Sequence, residues 1–111
     1  QGENMQSSQD AGESLKLVAQ ELQAVMSQIQ TVNSQISELT MTLDALSTQD
    51  PDKPVYRAVG SLLLEVADRN SLNSDIEASK NSFQIHLERL TERESELRES
   101  YEELVKSFES Q

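Results

Sequence analysis

Ten apolar residues, Leu15, Val18, Leu22, Val25, Ile29, Val32, Ile36, Leu39, Leu43 and Leu46, recur at alternating intervals of three and four. This spacing is the a/d seam of a coiled coil, sustained over more than four heptads. The residues between are mostly Gln, Ser, Thr, Glu and Asn, so the helix has one narrow apolar stripe and must bury it against another helix. Only 35% of the 111 residues are apolar and 4% are aromatic. An ordinary globular domain is about 45–50% apolar. The composition suits a seam and not a wide central core.

Residues 1–10, QGENMQSSQD, are polar and read as a disordered tail. Asp10 and Glu13 resemble a helix-start capping pair, which places the first helix at 11–48. Pro51 and Pro54 in STQDPDKP then stop it. A second helix is expected over 71–109, starting between Asn70 and Ser74, where Ser74-Asp75-Ile76-Glu77 has the form of a capping box. Its seam holds Ile76, Phe83, Leu87, Leu90, Leu97, Tyr101, Leu104 and Phe108 on one heptad frame, with Lys80 and Glu94 also at seam positions. Two helices of similar length can cover each other's stripes by folding back. The expected fold is therefore mainly α, a long antiparallel two-helix coiled coil with a compact middle. Pivoting at Gly60 brings Leu15 opposite the neighbourhood of Leu104.

The middle, VYRAVGSLLLEV over 55–66, has a different character. Gly60-Ser61 between two apolar runs fits a two-residue hairpin turn with glycine first. It pairs Val59 with Leu62, Arg57 with Leu64 and Val55 with Val66, six residues that share one face. Tyr56, Ala58, Leu63 and Glu65 occupy the other. An isolated hairpin is marginal in water, and its two outer edges carry unpaired backbone groups. Two roles fit these residues: a cap on the chain's own coiled coil, or an element that completes a sheet with hairpins of other subunits.

The remaining chemistry is sparse. With no cysteine, disulfides, thiolate zinc sites and cysteine nucleophiles are excluded. The single histidine, His86, reads as a solvated helix residue, and a His-based zinc site would need a second one. Gly60 is the only glycine after Gly12, so no glycine-rich phosphate loop exists. Nothing in the chain suggests an enzyme, a metal or a cofactor. The net charge of −11 argues against nucleic acid and anionic membrane surfaces as partners and favours basic ones. The Glu-rich run from Glu88 to Glu103, interleaved with Arg89, Arg93 and Arg98, reads as a solvated face with pairs such as Glu94–Arg98. No apolar run reaches the ~18 residues of a membrane span, and the first residues lack a secretory pattern.

At the end where the chain termini meet, Leu17 and Val105 lie off the seam frame and Phe108 falls at or past the end of the partner helix. More apolar surface gathers there than a two-helix seam covers, either as frayed packing or as an exposed patch. Met26 and Met41 also sit off the seam and suit either packing or adaptable binding.

A helix, an Asp/Pro-rich break, VYRAVGSLLLEV and a second helix together resemble β-class prefoldin subunits over about residues 13–108. Val55, Tyr56, Arg57 and Gly60 match that family's Val-Tyr-(Lys/Arg)-x-x-Gly segment, and Leu62, Leu63 and Val66 fit its second strand. A single hairpin points to the β class, since α-class subunits have two. Lys80 and Glu94 in the second seam depart from the pattern. The resemblance implies a cytoplasmic heterohexamer of two α-class and four β-class subunits whose hairpins form a β-barrel platform. Val55, Tyr56, Val59, Gly60, Leu62, Leu64 and Val66 are then the oligomerisation residues. The resemblance also implies ATP-independent capture of unfolded clients at the coiled-coil tips, for delivery to a group II chaperonin. Leu15, Leu17, Val18, Tyr101, Leu104, Val105 and Phe108 are the expected client-binding residues. The competing reading is a structural or tethering coiled coil with no client role.

Overall fold

The computed structural model describes residues 2–110, with side chains from Asp10 onward. Its elements run α1 (Gly2–Thr48), β1 (Tyr56–Val59), β2 (Leu62–Glu65) and α2 (Arg69–Glu109). The chain divides into two units, one of Gln1–Val32 with His86–Gln111 and one of Asn33–Ile85.

In the first unit, segments of α1 and α2 lie antiparallel. Gly12 sits beside Phe108, whose Cε2 would stand 3.9 Å from a Cβ at Gly12. Further along α1, Met26 Sδ lies 3.7 Å from Arg98 Nη2. Among the described residues the buried ones are Ala11, Val25, Val32, Leu90 and Leu97, and every one stands on the 3–4 frame of its helix. Ala11 extends the α1 frame one step before Leu15. The capping pair expected at Asp10 and Glu13 does not form, because α1 is already helical from Gly2. The polar stretch read as a disordered tail is thus helical in backbone; Gln1 and the side chains before Asp10 lie outside the described residues. Gln and Glu are good helix formers, so polarity alone did not mark the boundary.

Leu97 is the most deeply buried residue, at 3% exposure. Leu97→Ala should cost about 2–4 kcal/mol, toward the low end if this thin seam can collapse on the cavity. A urea-unfolding midpoint that barely moves would show that the seam is not where this unit's stability resides.

In the second unit, β1 and β2 pair antiparallel with Tyr56 opposite Glu65, Arg57 opposite Leu64, Ala58 opposite Leu63 and Val59 opposite Leu62. This is the register expected from the turn. Val66 N donates to Val55 O at 2.8 Å, adding the expected outer pair. Gly60 has φ +60°, and among the described residues no other residue type has a positive φ. Positive φ at the first central residue alone is the signature of a II′ turn, whose twist matches that of the strands. Open space surrounds a Cβ at Gly60, so glycine is needed there for its backbone conformation and not for room.

The connections on either side are built by short side-chain bonds. Asp50-Pro51-Asp52-Lys53 makes a turn in which Lys53 N donates to Asp50 O, and Asp52 N to Asp50 Oδ1, both at 3.0 Å. Aspartate first and proline second is the preferred order for such a turn. Asp68 Oδ1 accepts from Asn70 N at 3.0 Å and Ser71 N at 3.2 Å, so Asp68 is the N-cap of α2. This corrects the expected start: the Ser74–Glu77 pattern lies inside the helix. Asp68 comes first in the chain and satisfies the free amides before Ser74 is reached.

Ile36, Leu39, Leu43 and Leu46 on α1, and Ile76, Lys80 and Phe83 on α2, are only half-buried. No residue of this second unit is fully buried. Lys80 does occupy the seam face, as the heptad frame implies. A lysine there keeps its stem on the apolar surface and its ammonium toward water.

Candidate interaction surfaces

The hairpin is the first candidate surface. Strand alternation sends Val55, Arg57, Val59, Leu62, Leu64 and Val66 to one face and Tyr56, Ala58, Leu63 and Glu65 to the other. Val55 and Val66, at the base, are half-buried, and Val55 shares a shallow recess with Ala45, Leu46 and Tyr56. All residues from Tyr56 to Glu65 are exposed on both strands. Val59, Leu62 and Leu64 therefore face solvent together, as does Tyr56 on the opposite face. Leu63, absent from the expected oligomerisation residues, is the most exposed large apolar side chain among those described, at 72%. Its signal was the triplet Leu62-Leu63-Leu64: consecutive leucines on a strand must place apolar groups on both faces. Each strand has one hydrogen-bonded neighbour, so each leaves an open edge.

The second candidate surface lies in the unit of Gln1–Val32 and His86–Gln111. Its expected client-binding residues separate into three groups. Leu15, Val18 and Leu104 are half-buried seam residues. Tyr101 and Phe108 stand at seam positions yet remain exposed, while Val105 beside them is half-buried despite lying off the frame. Leu17 is 63% exposed. Two residues beyond seam residue Leu15, it is turned about 200° around the helix, so it faces away from Tyr101 and Phe108. Phe108 does not run past its partner helix, because α1 continues through Gly12 beside it.

Next to Tyr101 is an open groove of about 300 Å³ lined by Ala19, Leu22, Gln23, Met26, Arg98, Tyr101 and Glu102. Arg98 Nη2 is 3.3 Å from Glu94 Oε2. The expected Glu94–Arg98 pair thus forms, and it explains how a glutamate is tolerated at a seam position. On another side of the pair, Arg93 bridges to Glu21 at 2.6 Å and to Glu96 at 3.3 Å. These bonds, the one to Glu21 foremost, hold the Arg93 guanidinium above its ordinary pKa. The Glu21–Arg93 pair links α1 to α2 but stabilises them little, since exposed pairs contribute about 0–1 kcal/mol. His86 is exposed, as expected for a solvated helix residue. Among the described residues no helix is long and apolar enough to cross a membrane.

Two long helices separated by one apolar, open-edged hairpin define a helix–hairpin–helix coiled-coil protein. The family model described as "Prefoldin subunit" matches residues 6–111. The chain belongs to this family, and its single hairpin and its relatives make it β-class. Over 67 residues it is 36% identical to prefoldin subunit beta of Thermoplasma acidophilum, covering 60% of this chain and 54% of that one. It is 34% identical, over the same share of each, to prefoldin subunit beta of Thermoplasma volcanium. The chain thus spans about half the length of the curated relatives it matches. Among solved structures, the prefoldin beta subunit from Thermococcus strain KS-1 superposes with a TM-score of 0.83 at 25% identity, covering 93% of this chain and 90% of that one. The beta2 subunit of the same strain shares the fold, with a TM-score of 0.72 at 23% identity over 83% and 97% of the two chains.

Proposed function

We propose that this chain is the β-class subunit of an ATP-independent holding chaperone in the cytoplasm. Two α-class and four β-class subunits assemble through their hairpins into a β-barrel platform. The coiled-coil ends hold unfolded segments and pass them to a group II chaperonin. The observation that carries this reading is the hairpin, which exposes Val59, Leu62, Leu63 and Leu64 to solvent on strands with open edges. Surface of this kind costs free energy in an isolated chain and is relieved by pairing with further strands. Family membership supports hairpins of other prefoldin subunits as the strands it would pair with.

The test is native mass with and without an α-class subunit, followed by suppression of aggregation of a chemically unfolded protein in the absence of nucleotide. Mixing should produce one large hetero-oligomer that keeps the unfolded protein in solution. A chain that stays monomeric or dimeric with the partner present, and does not suppress aggregation, would be a tethering coiled coil instead.

A further inference from the structure

We propose that the groove beside Tyr101 selects segments of unfolded chain in which a large apolar side chain is flanked by Lys or Arg. The proposal rests on the capture reading above and adds the chemistry of what is captured. The groove floor is apolar: Ala19 is too small to fill it, Leu22 is half-buried, and Met26 and Tyr101 expose part of their side chains to it. At about 300 Å³ it stands at the lower limit of small-molecule sites, a size for side chains and not for a folded domain.

Charge decides which segments fit. Two charged residues line the groove. Arg98 is already matched, with Glu94 Oε2 at 3.3 Å and Met26 Sδ at 3.7 Å from its Nη2. Glu102 has no ion-pair partner among the described residues, and the neighbouring Glu99 and Glu103 are exposed and likewise unbridged. The rim of an apolar groove therefore carries unmatched negative charge next to an exposed tyrosine ring. A cation entering there meets a carboxylate and the face of an aromatic, both of which favour it. An acidic segment with the same apolar residues meets repulsion.

The experiment uses the full chain and two fluorescent peptides with identical apolar positions, one flanked by lysines and one by glutamates, read by anisotropy. The lysine peptide should bind about fivefold tighter in dilute buffer, the scale of an exposed ion pair. The difference should shrink in about 1 M salt, where the screening length falls to about 3 Å. Glu102→Gln should remove most of the preference, whereas Glu38→Gln, which removes an equal charge from the other unit, should leave it. Tyr101→Ala, with helicity checked by circular dichroism, should weaken both peptides through the lost apolar contact, and the lysine peptide somewhat more because it also loses the aromatic face. If the two peptides bind wild type equally, capture stands and the selection is wrong. Equal losses from Glu102→Gln and Glu38→Gln would trace the preference to the overall charge and overturn the groove assignment. If neither peptide binds, the capture reading fails along with the proposal.

Discussion

Val59→Asp and Leu64→Asp should each leave the chain helical and abolish its assembly with an α-class subunit. Val59 pairs with Leu62 next to the Gly60 turn, and Leu64 lies opposite Arg57 on the same face. Both are solvent-exposed in the chain itself, so a carboxylate at either position costs the subunit little, on the scale of about 0.5 kcal/mol for ordinary surface changes. In a closed barrel the same carboxylate would be stripped of water with no partner, which costs at least several kcal/mol. Every copy of the subunit would pay it again. The separation of the two costs is what makes the result informative. Circular dichroism should match wild type while native mass shows no hetero-oligomer. A normal oligomer with either substitution would mean that Val59 and Leu64 do not face the interior of the assembly.

The triple replacement Leu17→Ser, Tyr101→Ser and Phe108→Ser should have the opposite pattern. Assembly should persist, and the molar excess of chaperone needed to hold an unfolded protein should rise about tenfold or more. These three residues expose apolar surface, and none of them is among the buried residues of the seam. Leu15, Val18 and Leu104 are half-buried in the seam, so removing them would confuse loss of capture with loss of folding. For the same reason, deleting 15–18 and 104–108 outright is the poorer experiment. Because Leu17 faces away from the others, Leu17→Ser alone should do less than the Tyr101 and Phe108 pair. Undiminished suppression by the triple variant, with native mass intact, would move the client site elsewhere on the chain.

Features set by a repeating period were legible in the sequence. The heptad frames placed Val25, Val32, Leu90 and Leu97 in the seam, and those residues are buried. The glycine-first turn fixed the strand register pair by pair. Features set by local competition were not legible. Asp68 and Ser74 both look like caps, and the choice between them depends on which carboxylate or hydroxyl first meets free amides. Ala11 belongs to the seam, but a single methyl group gives too weak an apolar signal to extend the frame. The candidate client residues are apolar and lie partly off the seam frame. Their division between opposite sides of α1 depends on helical phase, which a list of residues near one end of the chain does not convey. The groove beside Tyr101 was missed altogether, because it is formed by what Ala19 fails to fill.

Among the described residues all the buried side chains belong to one unit, and the unit bearing the hairpin has none. The two parts of the chain therefore differ in how they depend on company. The first buries part of its seam with its own leucines and valines. The second has only half-covered residues and bare strands, and assembly would supply the protection it lacks. Its stability would then vary with the concentration of its partners, as for any structure completed by association. An unassembled copy would be distinguishable from an assembled one by its exposed leucine strands, the kind of surface that proteases and other quality-control machinery act on.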